Sequence, residues 1–364
     1  MITDRERQIL HWIEENPLIS QQELADLAGI TRSSAAVHIS NLTKKGLIQG
    51  KGYILQKKPY IVVIGGVNMD ICGRPYQPLV MRDSNPGTTF LSAGGVGRNI
   101  AHNLALLDED VKLITAFGSD GYASQLSEEC HRIGIDTSQS FTIPNGVTST
   151  YLFITDEHGD MELAVSDMGI YEHLTPELMA TRSDFINRAS LCICDTNLPQ
   201  NTLEYLAAHC QCPLFADTVS TTKAKKLKGL LGKIHTLKPN LIEAEELTGI
   251  KIADENSLHA AAECFLKQGM QQVFISLGEE GVYAANNHEH LHLPSFPCEI
   301  VNTTGAGDSF VAALAWAWRQ QLPLRDIARA GMASASICIA SESTISPHIS
   351  CEHILEILDQ HPVK

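Results

Sequence analysis

From Tyr60 onward, short apolar runs alternate with helix-like segments, and this alternation constrains the fold more than any other feature of the chain. The runs are YIVVIGG, VKLITAFGS, LCICDT, CPLFADT, IHTLKPN and QQVFISLG, and two long helices are predicted near the C-terminus. Strands that alternate with helices predict an α/β fold, a mostly parallel sheet flanked by helices. Ligands of such sheets bind at the carboxyl ends of the strands, so we expect the functional residues in the loops that follow these runs.

The first 58 residues differ from the rest of the 364-residue chain in charge as well as in pattern. They carry eight basic and six acidic side chains, whereas residues 59–364 carry 19 basic and 36 acidic ones. An acidic body has little affinity for nucleic acid, while a slightly basic segment can bind it. We therefore predict two domains, 1–58 and 59–364.

Composition also predicts the cellular environment. No apolar run approaches the ~18 residues of a membrane span, and the charged start MITDRERQIL lacks the apolar core of a signal peptide. The ten cysteines are scattered singly or as close pairs in apolar stretches, as is typical of reduced thiols. We expect a soluble cytoplasmic protein without a membrane partner.

The N-terminal segment has the pattern of three short helices. A TxxE and an SxxE capping box predict the first two, the second burying Leu24, Leu27 and Ala28, and a hairpin around GKG is predicted to follow the third. Residues 21–48 resemble a winged helix-turn-helix, which implies DNA binding by Arg32, Ser33, Ser34, Val37, His38 and Lys51. The alternative is a helical module for dimerisation or docking, because so small a positive charge is weak for phosphate binding.

The segment NTTGAGDSF at 302–310 combines a glycine-rich turn with the start of a predicted helix. Such a turn directs backbone N–H groups and the positive end of the helix dipole at one point, which suits the anionic group of a phosphoryl transfer. Asp308 is expected beside that point, where a carboxylate accepts the proton of an attacking hydroxyl. The alternative is an Asp that only caps the helix.

Further polar blocks follow the predicted strands, namely GGVNMD, GGVGRN, KPNLIE and SLGEEG. In this order and together with the turn at 302–310, they resemble the ribokinase family, the PfkB carbohydrate kinases, over about residues 60–360. The resemblance implies a ribokinase-like fold with a small β lid. It also implies transfer of a phosphoryl group from ATP to an alcohol with the help of Mg²⁺.

The same resemblance implies roles for individual residues. The expected catalytic group comprises the general base Asp308 and an anion hole of Gly305, Ala306 and Gly307. The acceptor is expected to contact Asn68, Asp70, Gly94, Gly95, Arg98 and Asn99. ATP is expected to contact Asn240, Ser276, Gly278, Gly281 and Gly307, with Glu243 and Asn240 holding Mg²⁺ through waters. The family places K⁺ near Asn302 and Thr304, but Asn302 replaces the usual Asp, and the lost charge argues against K⁺ activation.

The strings MRDSNPGTT, GGVGRNIAHNLALL and SDMGI are similar to those of bacterial pseudouridine kinases. The similarity implies pseudouridine as the acceptor, phosphorylated on its 5′-hydroxyl, with contacts from Asp83, Ser84, Asn85 and Asp167. Another nucleoside or a free sugar remains an alternative acceptor. For the loop at 83–85, the alternative is a turn capped by its own Asp and Asn side chains, with no contact to the acceptor. A transcription regulator that uses the kinase-like domain as a ligand sensor is a further alternative.

Three remaining patterns carry weaker expectations. Polar and apolar residues alternate over 147–168, which predicts a β-hairpin. In the ribokinase family such strands cover the acceptor and pair between subunits, and this resemblance implies a homodimer. An ordinary surface hairpin is the alternative. The pairs Cys192/Cys194 and Cys210/Cys212 are predicted to be buried thiols, because zinc sites use longer spacings on loops. His288, His290 and His292 are predicted to lie on a solvated hairpin.

Overall fold

The computed structural model describes residues 2–48 and 59–362. Its contacts separate two compact units, Met1–Pro59 and Tyr60–Lys364. The hairpin predicted around GKG, and Lys51 within it, lie outside the described residues.

The first unit contains helices α1 (Asp4–Glu15), α2 (Gln21–Ala28) and α3 (Arg32–Lys44). Both predicted capping boxes are present, and they begin α1 and α2. The helices enclose a core of Ile9, Ile13, Ile19, Leu24, Ile39, Leu42 and Ile48. The expectation that Leu27 is buried is wrong, because the core-facing side of α2 runs through Leu24, Ala25 and Ala28 and leaves Leu27 56% exposed.

The second unit is built on a central sheet. Its strands are β1 (Ile61–Ile64), β4 (Val111–Ile114), β9 (Leu191–Asp195), β10 (Leu214–Asp217), β11 (Thr236–Leu237), β12 (Gln272–Ser276), β13 (Val282–Asn286) and β14 (His290–Leu293). They lie in the order β14-β13-β12-β11-β10-β9-β1-β4. The strands from β12 to β4 run parallel, and β13 and β14 extend one edge as an antiparallel hairpin.

Helices cover both faces of this sheet. They are α4 (Val96–Leu106), α5 (Gly121–Arg132), α6 (Pro176–Ala180), α7 (Ser183–Asn187), α8 (Gln200–His209), α9 (Thr221–Ala224), α10 (Leu241–Thr248), α11 (Glu255–Lys267), α12 (Ala306–Arg319), α13 (Leu324–Ile339) and α14 (Cys351–Gln360). Short 3₁₀ turns occur at Gly169–His173, Lys225–Leu227, Leu231–Lys233 and Gly278–Glu280. Alternate residues of β1 enter different cores, Val62 on one face and Val63 on the other, which is why the strand reads as a continuous apolar run.

A second, smaller sheet has the order β3-β2-β7-β8, with β2 (Asn68–Pro75), β3 (Gly87–Gly94), β7 (Thr150–Thr155) and β8 (Met161–Asp167). β7 and β8 form the hairpin predicted at 147–168, and β8 is exposed along its whole length. β2 begins three residues after β1 ends, so this lid sheet grows directly from the carboxyl edge of the central sheet. Two short strands, β5 (Ala116–Phe117) and β6 (Phe141–Thr142), pair separately.

Candidate active site

Buried acids end two neighbouring strands of the central sheet. β9 ends at Asp195 and β10 at Asp217, and both side chains are almost fully buried. Asp195 accepts hydrogen bonds from the backbone amides of Gly66 at 2.7 Å and Asn197 at 2.8 Å, which tie it to the loop after β1. Sequence reasoning missed both acids, although their place at the end of a buried strand was a usable signal.

The structure brings the two glycine-rich turns together. α12 begins after Gly305, whose φ of 83° is left-handed, and a Cβ there would lie 2.0 Å from the Thr344 carbonyl oxygen. α12 packs against α4, which carries Asn99. The Asn99 side-chain amide donates a 2.8 Å hydrogen bond to the Asp308 carboxylate. The predicted base therefore meets a predicted acceptor-binding residue at the N-terminal ends of two packed helices.

Asp308 is a half-buried carboxylate in the first turn of α12. Burial and the negative charge of Asp217 raise the pKa of Asp308 well above its usual value, while the Asn99 hydrogen bond and the Lys238 charge oppose that rise. A carboxylate with a raised pKa holds a proton more strongly and is a better acceptor of an alcohol proton near neutral pH.

Asp70 forms a second acidic position, near the start of the lid sheet. Burial raises the pKa of Asp70 to about 6, and the hydrogen bond from Asn68 and the positive charge of Arg98 oppose the rise. Gly94 faces this carboxylate so closely that a Cβ would lie 2.3 Å from an Asp70 oxygen. Arg98 itself pairs with Glu129 at 2.6 Å and donates to the Ala93 carbonyl at 3.1 Å. The guanidinium of Arg98 is thus held in place near the Asp70 carboxylate.

A cavity of about 690 Å³ adjoins the glycine turn of α12. All the residues predicted to contact ATP line it, namely Asn240, Ser276, Gly278, Gly281 and Gly307. The sequence analysis did not identify its apolar lining, which includes Phe296, Ile300, Met332 and Ile339. A mostly apolar cavity with a few polar groups is typical of a small-molecule site.

Lys238 also lines this cavity and was missed by the sequence analysis. It follows β11 directly, is only 8% exposed, and its Nζ lies 3.7 Å from the position of a Cβ on Gly307. Its ammonium lies 5.8 Å from the Phe310 ring centroid, and within the described residues it has no hydrogen bond or ion pair. A buried cation without a protein anion is costly, so this position favours an anionic ligand.

Asn240 and Glu243 form a capping box at the start of α10. The Glu243 amide donates to Asn240 Oδ1 at 2.9 Å, and the Asn240 amide donates to Glu243 Oε2 at 2.8 Å. The Thr218 hydroxyl donates to the same Glu243 oxygen at 2.7 Å. These bonds orient a buried carboxylate next to Asp217, and clustered carboxylates are the oxygen donors that a hydrated Mg²⁺ prefers. The residues present therefore fit a magnesium ion bound through water.

The loop at 83–85, predicted to contact the nucleobase of the acceptor, forms hydrogen bonds within its own segment. The Asn85 side chain accepts from the Val80 amide at 2.7 Å and donates to the Val80 and Asp83 carbonyls. Asp83 accepts from the Ser84 amide at 2.8 Å. These bonds are those of the self-capped turn that the sequence left open as the alternative.

Two further predictions fall near the site without joining it. Asp167 shares its row of the lid sheet with Thr150 and Met69, one row from Asp70, and adjacent rows face opposite sides. The Asn302 side chain accepts from the Thr304 amide at 2.9 Å and donates to the Glu342 carbonyl at 3.0 Å. The amide that replaces the usual Asp is thus bonded both to its own loop and to the segment that follows α13.

In the first unit, the start of α3 presents the residues predicted to contact DNA. Arg32, Ser33 and Val37 are exposed, while Ser34 and His38 are half-buried. Thr31 caps the helix by accepting from the Ser34 amide at 3.2 Å. The exposed residues therefore lie on the first two turns of α3, the part of a recognition helix that reaches base edges.

Comparison with known proteins gives a match for each unit. Residues 58–351 match the pfkB family carbohydrate kinases, and residues 2–49 match a winged helix-turn-helix DNA-binding family. Across the helices of the described residues, none combines the length and apolar character that a membrane span needs.

Individual relatives support the same assignment. The chain is 40% identical over 359 residues to an uncharacterized sugar kinase of Escherichia coli, YeiI, covering 98% of this chain and 99% of that protein. It is 34% identical over 307 residues to pseudouridine kinase of Escherichia coli, covering 84% and 98%. A solved ribokinase from Thermotoga maritima superposes with a TM-score of 0.74 at 24% identity, covering 83% and 100%. The predicted ribokinase-like α/β fold is confirmed.

Proposed function

Because the chain belongs to the pfkB family of carbohydrate kinases, whose members transfer phosphoryl groups to alcohols, we propose that it phosphorylates the 5′-hydroxyl of a nucleoside, pseudouridine, with ATP. One observation carries the proposal. Asp308 accepts a 2.8 Å hydrogen bond from Asn99, which lies on the segment whose Gly94 faces Asp70, and Asp308 directly follows Gly307, which lines the cavity. The acceptor hydroxyl and the γ-phosphoryl group would meet at that carboxylate.

The reaction follows from this arrangement. Asp308 takes the proton of the acceptor hydroxyl while the oxygen of that hydroxyl bonds to the γ-phosphorus of ATP. ADP leaves with the electron pair of the broken P–O bond. The backbone amides of residues 305–307 and the ammonium of Lys238 stabilise the negative charge on the transferred group. Asp70 accepts hydrogen bonds from acceptor hydroxyls and so orients the attacking group.

Mg²⁺ would be held through waters by Glu243 and Asn240, with Asp217 beside them. When bound with the nucleotide, it neutralises charge on the phosphate oxygens. The capping box keeps the Glu243 carboxylate in one orientation, so α10 begins with a preorganised acidic group rather than a mobile one.

Pseudouridine is favoured as the acceptor by the 34% identity to a pseudouridine kinase along 98% of that protein's length. Another sugar or nucleoside is the competing acceptor, because the identity to the sugar kinase YeiI is higher. The self-bonded loop at 83–85 would have to open, or present its backbone, to read a base edge. Acceptor choice is thus the part of the proposal that an assay must decide.

The decisive experiment is an ADP-release assay with ATP and Mg²⁺, offering pseudouridine, uridine, other nucleosides and ribose separately. Asp308→Asn tests the base, and Asp326→Asn is the matched control, because Asp326 also lies in the first turn of a long helix, α13, outside the cavity. We expect Asp308→Asn to lose at least about 10³-fold in turnover while still binding nucleotide. Equal turnover of the two variants contradicts the assigned base, and preference for ribose contradicts the acceptor.

A second function is favoured by the winged helix-turn-helix match over residues 2–49. We propose that the first unit binds DNA through the start of α3, so that the protein couples its ligand to transcription. The kinase-like unit then acts either as an enzyme that also reports its substrate or as a sensor alone. Turnover in the assay above separates these two forms.

Mobility shifts on DNA upstream of the coding region, with and without nucleoside, test this second function. Arg32→Ala is expected to weaken binding and to lower the salt dependence, because one phosphate contact is lost. Arg5→Ala on α1 is the matched control, since Arg5 is exposed and, among the described residues, bonds only Gln8, at 3.1 Å. Absence of a shift at low salt would leave the first unit as a docking module.

The lid sheet supports a homodimer. Leu91, Ile71, Leu152 and Val165 share one row, and a shared row presents its side chains on one face. Leu91, Leu152 and Val165 are 52%, 41% and 57% exposed. Asp70 belongs to the neighbouring row and faces the other side. A contiguous exposed apolar face is typical of a protein–protein interface, and we propose that two lids pair through it.

A further inference from the structure

Three metal-ligand side chains meet where α11 passes the hairpin of β13 and β14. His259 and Glu263 lie one turn apart on α11, and His290 begins β14. His290 Nε2 is 3.0 Å from Glu263 Oε1, and the ring centroids of His259 and His290 are 4.4 Å apart. One ligand atom from each residue lies within 4.8 Å of the other two, an arrangement that no other trio of His, Cys, Asp or Glu in the described residues shares.

The Tyr283 hydroxyl contacts the imidazoles of both His259 and His290. This residue of β13 is only 4% exposed, and its hydroxyl lies 3.0 Å from His259 Nδ1 and 3.3 Å from His290 Nδ1. A phenol oxygen has two lone pairs and accepts from both Nδ1–H groups. With the proton on Nδ1, each ring keeps a lone pair on Nε2, and such an outer hydrogen bond is the usual companion of a metal-bound histidine.

A surface ion pair explains only part of this cluster. Lys267 approaches Glu263 Oε2 at 3.3 Å, and Lys267 lowers the pKa of Glu263, so the carboxylate is ionised near neutral pH. The pair leaves Oε1 of Glu263 directed at His290. It gives no reason for His259 to share the buried hydroxyl of Tyr283 with His290.

We propose that His259, Glu263 and His290 bind one zinc-like divalent ion through two imidazole nitrogens and one carboxylate oxygen. Zinc takes nitrogen and carboxylate ligands at about 2.0–2.2 Å, which places ligand atoms about 3.3 Å apart, so ligand atoms that now lie within 4.8 Å of one another need to close by up to about 1.5 Å. Nitrogen ligands favour zinc, nickel or copper over Mg²⁺, which prefers oxygen alone. The site is therefore chemically distinct from Glu243 and Asn240, and it is independent of the proposed kinase activity.

Such an ion would fasten α11 to the hairpin of β13 and β14. The strand β13 starts directly after Gly281, which lines the cavity, so the hairpin forms part of the cavity's support. The ion would add a cross-link between sheet edge and helix without touching Asp308. We expect it to raise thermal stability in proportion to the logarithm of zinc concentration.

Calorimetric titration of the full-length, metal-stripped protein with zinc chloride alone tests the site. His290→Ala and His259→Gln remove ligands, and His288→Ala is the matched control, because His288 lies exposed in the same hairpin two residues away. Tyr283→Phe keeps all three ligands but removes the orienting hydroxyl. Visible absorption of bound Co²⁺ and zinc-dependent melting provide readouts besides activity.

We expect one high-affinity zinc in the wild type and in His288→Ala, and at least about tenfold weaker binding in both ligand variants. Tyr283→Phe is expected to weaken zinc about tenfold, as loss of an outer hydrogen bond does. Magnesium chloride in the same titration is expected to leave this site empty. Equal zinc affinity in wild type and His290→Ala, or an equal loss in His288→Ala, overturns the proposal.

Discussion

Lys238→Met tests whether the buried ammonium stabilises the transferred phosphoryl group. The change keeps an apolar stem of similar length and removes one charge from a side chain that is 8% exposed and has no anionic partner in the described part of the chain. Its Nζ lies 3.7 Å from the Cβ position of Gly307, beside the turn proposed to hold the phosphoryl oxygens.

The magnitude follows from Coulomb's law. A charge pair about 5 Å apart at an effective dielectric constant of about 20 interacts by about 3 kcal/mol, which corresponds to about 10²-fold in rate. Lys238 also lowers the pKa values of Asp308 and Asp217. Its loss therefore raises the pKa of Asp308 further, and the acidic limb of the pH–rate profile moves to higher pH, because only the ionised carboxylate accepts a proton.

The assay is kcat/KM for the preferred acceptor from pH 5 to pH 9, together with thermal denaturation. We expect about a 10²-fold loss and a shifted acidic limb, and thermal denaturation reports whether the variant remains folded. Lys112→Met is the matched control, because Lys112 lies between Asp110 at 2.8 Å and Asp136 at 3.3 Å on the edge strand β4. Activity within threefold of the wild type and an unchanged pH profile would refute the role of Lys238.

Three further changes test other parts of the structure. Because burial raises the pKa of Asp70 in the folded protein to about 6, the wild type loses stability as the pH rises from about 4 to about 6. Asp70→Asn should therefore raise the free energy of unfolding at pH 7 by about 1–2 kcal/mol and abolish saturation by the acceptor. Unchanged stability in thermal denaturation contradicts the burial argument. Gly305→Ala should destabilise by at least about 1–3 kcal/mol and slow turnover, whereas Gly121→Ala, with no atom within 4 Å of the added Cβ, should do neither. Leu163→Glu, on the apolar lid face, should yield monomers in light scattering, and Ala164→Glu, in the adjacent row that faces the other side, should not.

The sequence predicted those parts of the site that lie in one continuous segment. The turn at 302–310 was readable because glycine spacing, the following helix and Asp308 are adjacent in the chain. The residues predicted to contact ATP were also predicted as a group, and the structure places all of them around one cavity. Those residues were implied by the resemblance to the ribokinase family, whose characteristic blocks each follow a strand or begin a helix.

Contacts between segments that are far apart in the chain could not be predicted from the local sequence. Asn99 and Asp308 are 209 residues apart, and their hydrogen bond depends on how α4 packs against α12. Lys238 looked like an ordinary basic residue, since its burial depends on α12 and the cavity wall rather than on its neighbours in sequence. Leu27 fitted a helical apolar stripe, yet an eight-residue helix meets its core along a narrower face.

The charges around Asp308 explain why the site is incomplete without its ligands. Burial raises the pKa values of Asp195, Asp217 and Asp308. The charge of Asp195 raises those of Asp217 and Asp308 further, and Asp217 also raises that of Asp308, while the buried charge of Lys238 opposes both rises. Such a group is held together by the fold against its own repulsion, and it is relieved when a cation accompanies the nucleotide phosphates. The carboxylates are therefore fixed in place before the substrate arrives, at a cost in stability. Replacing Asp217 or Asp308 by Asn should stabilise the folded protein while it slows the transfer.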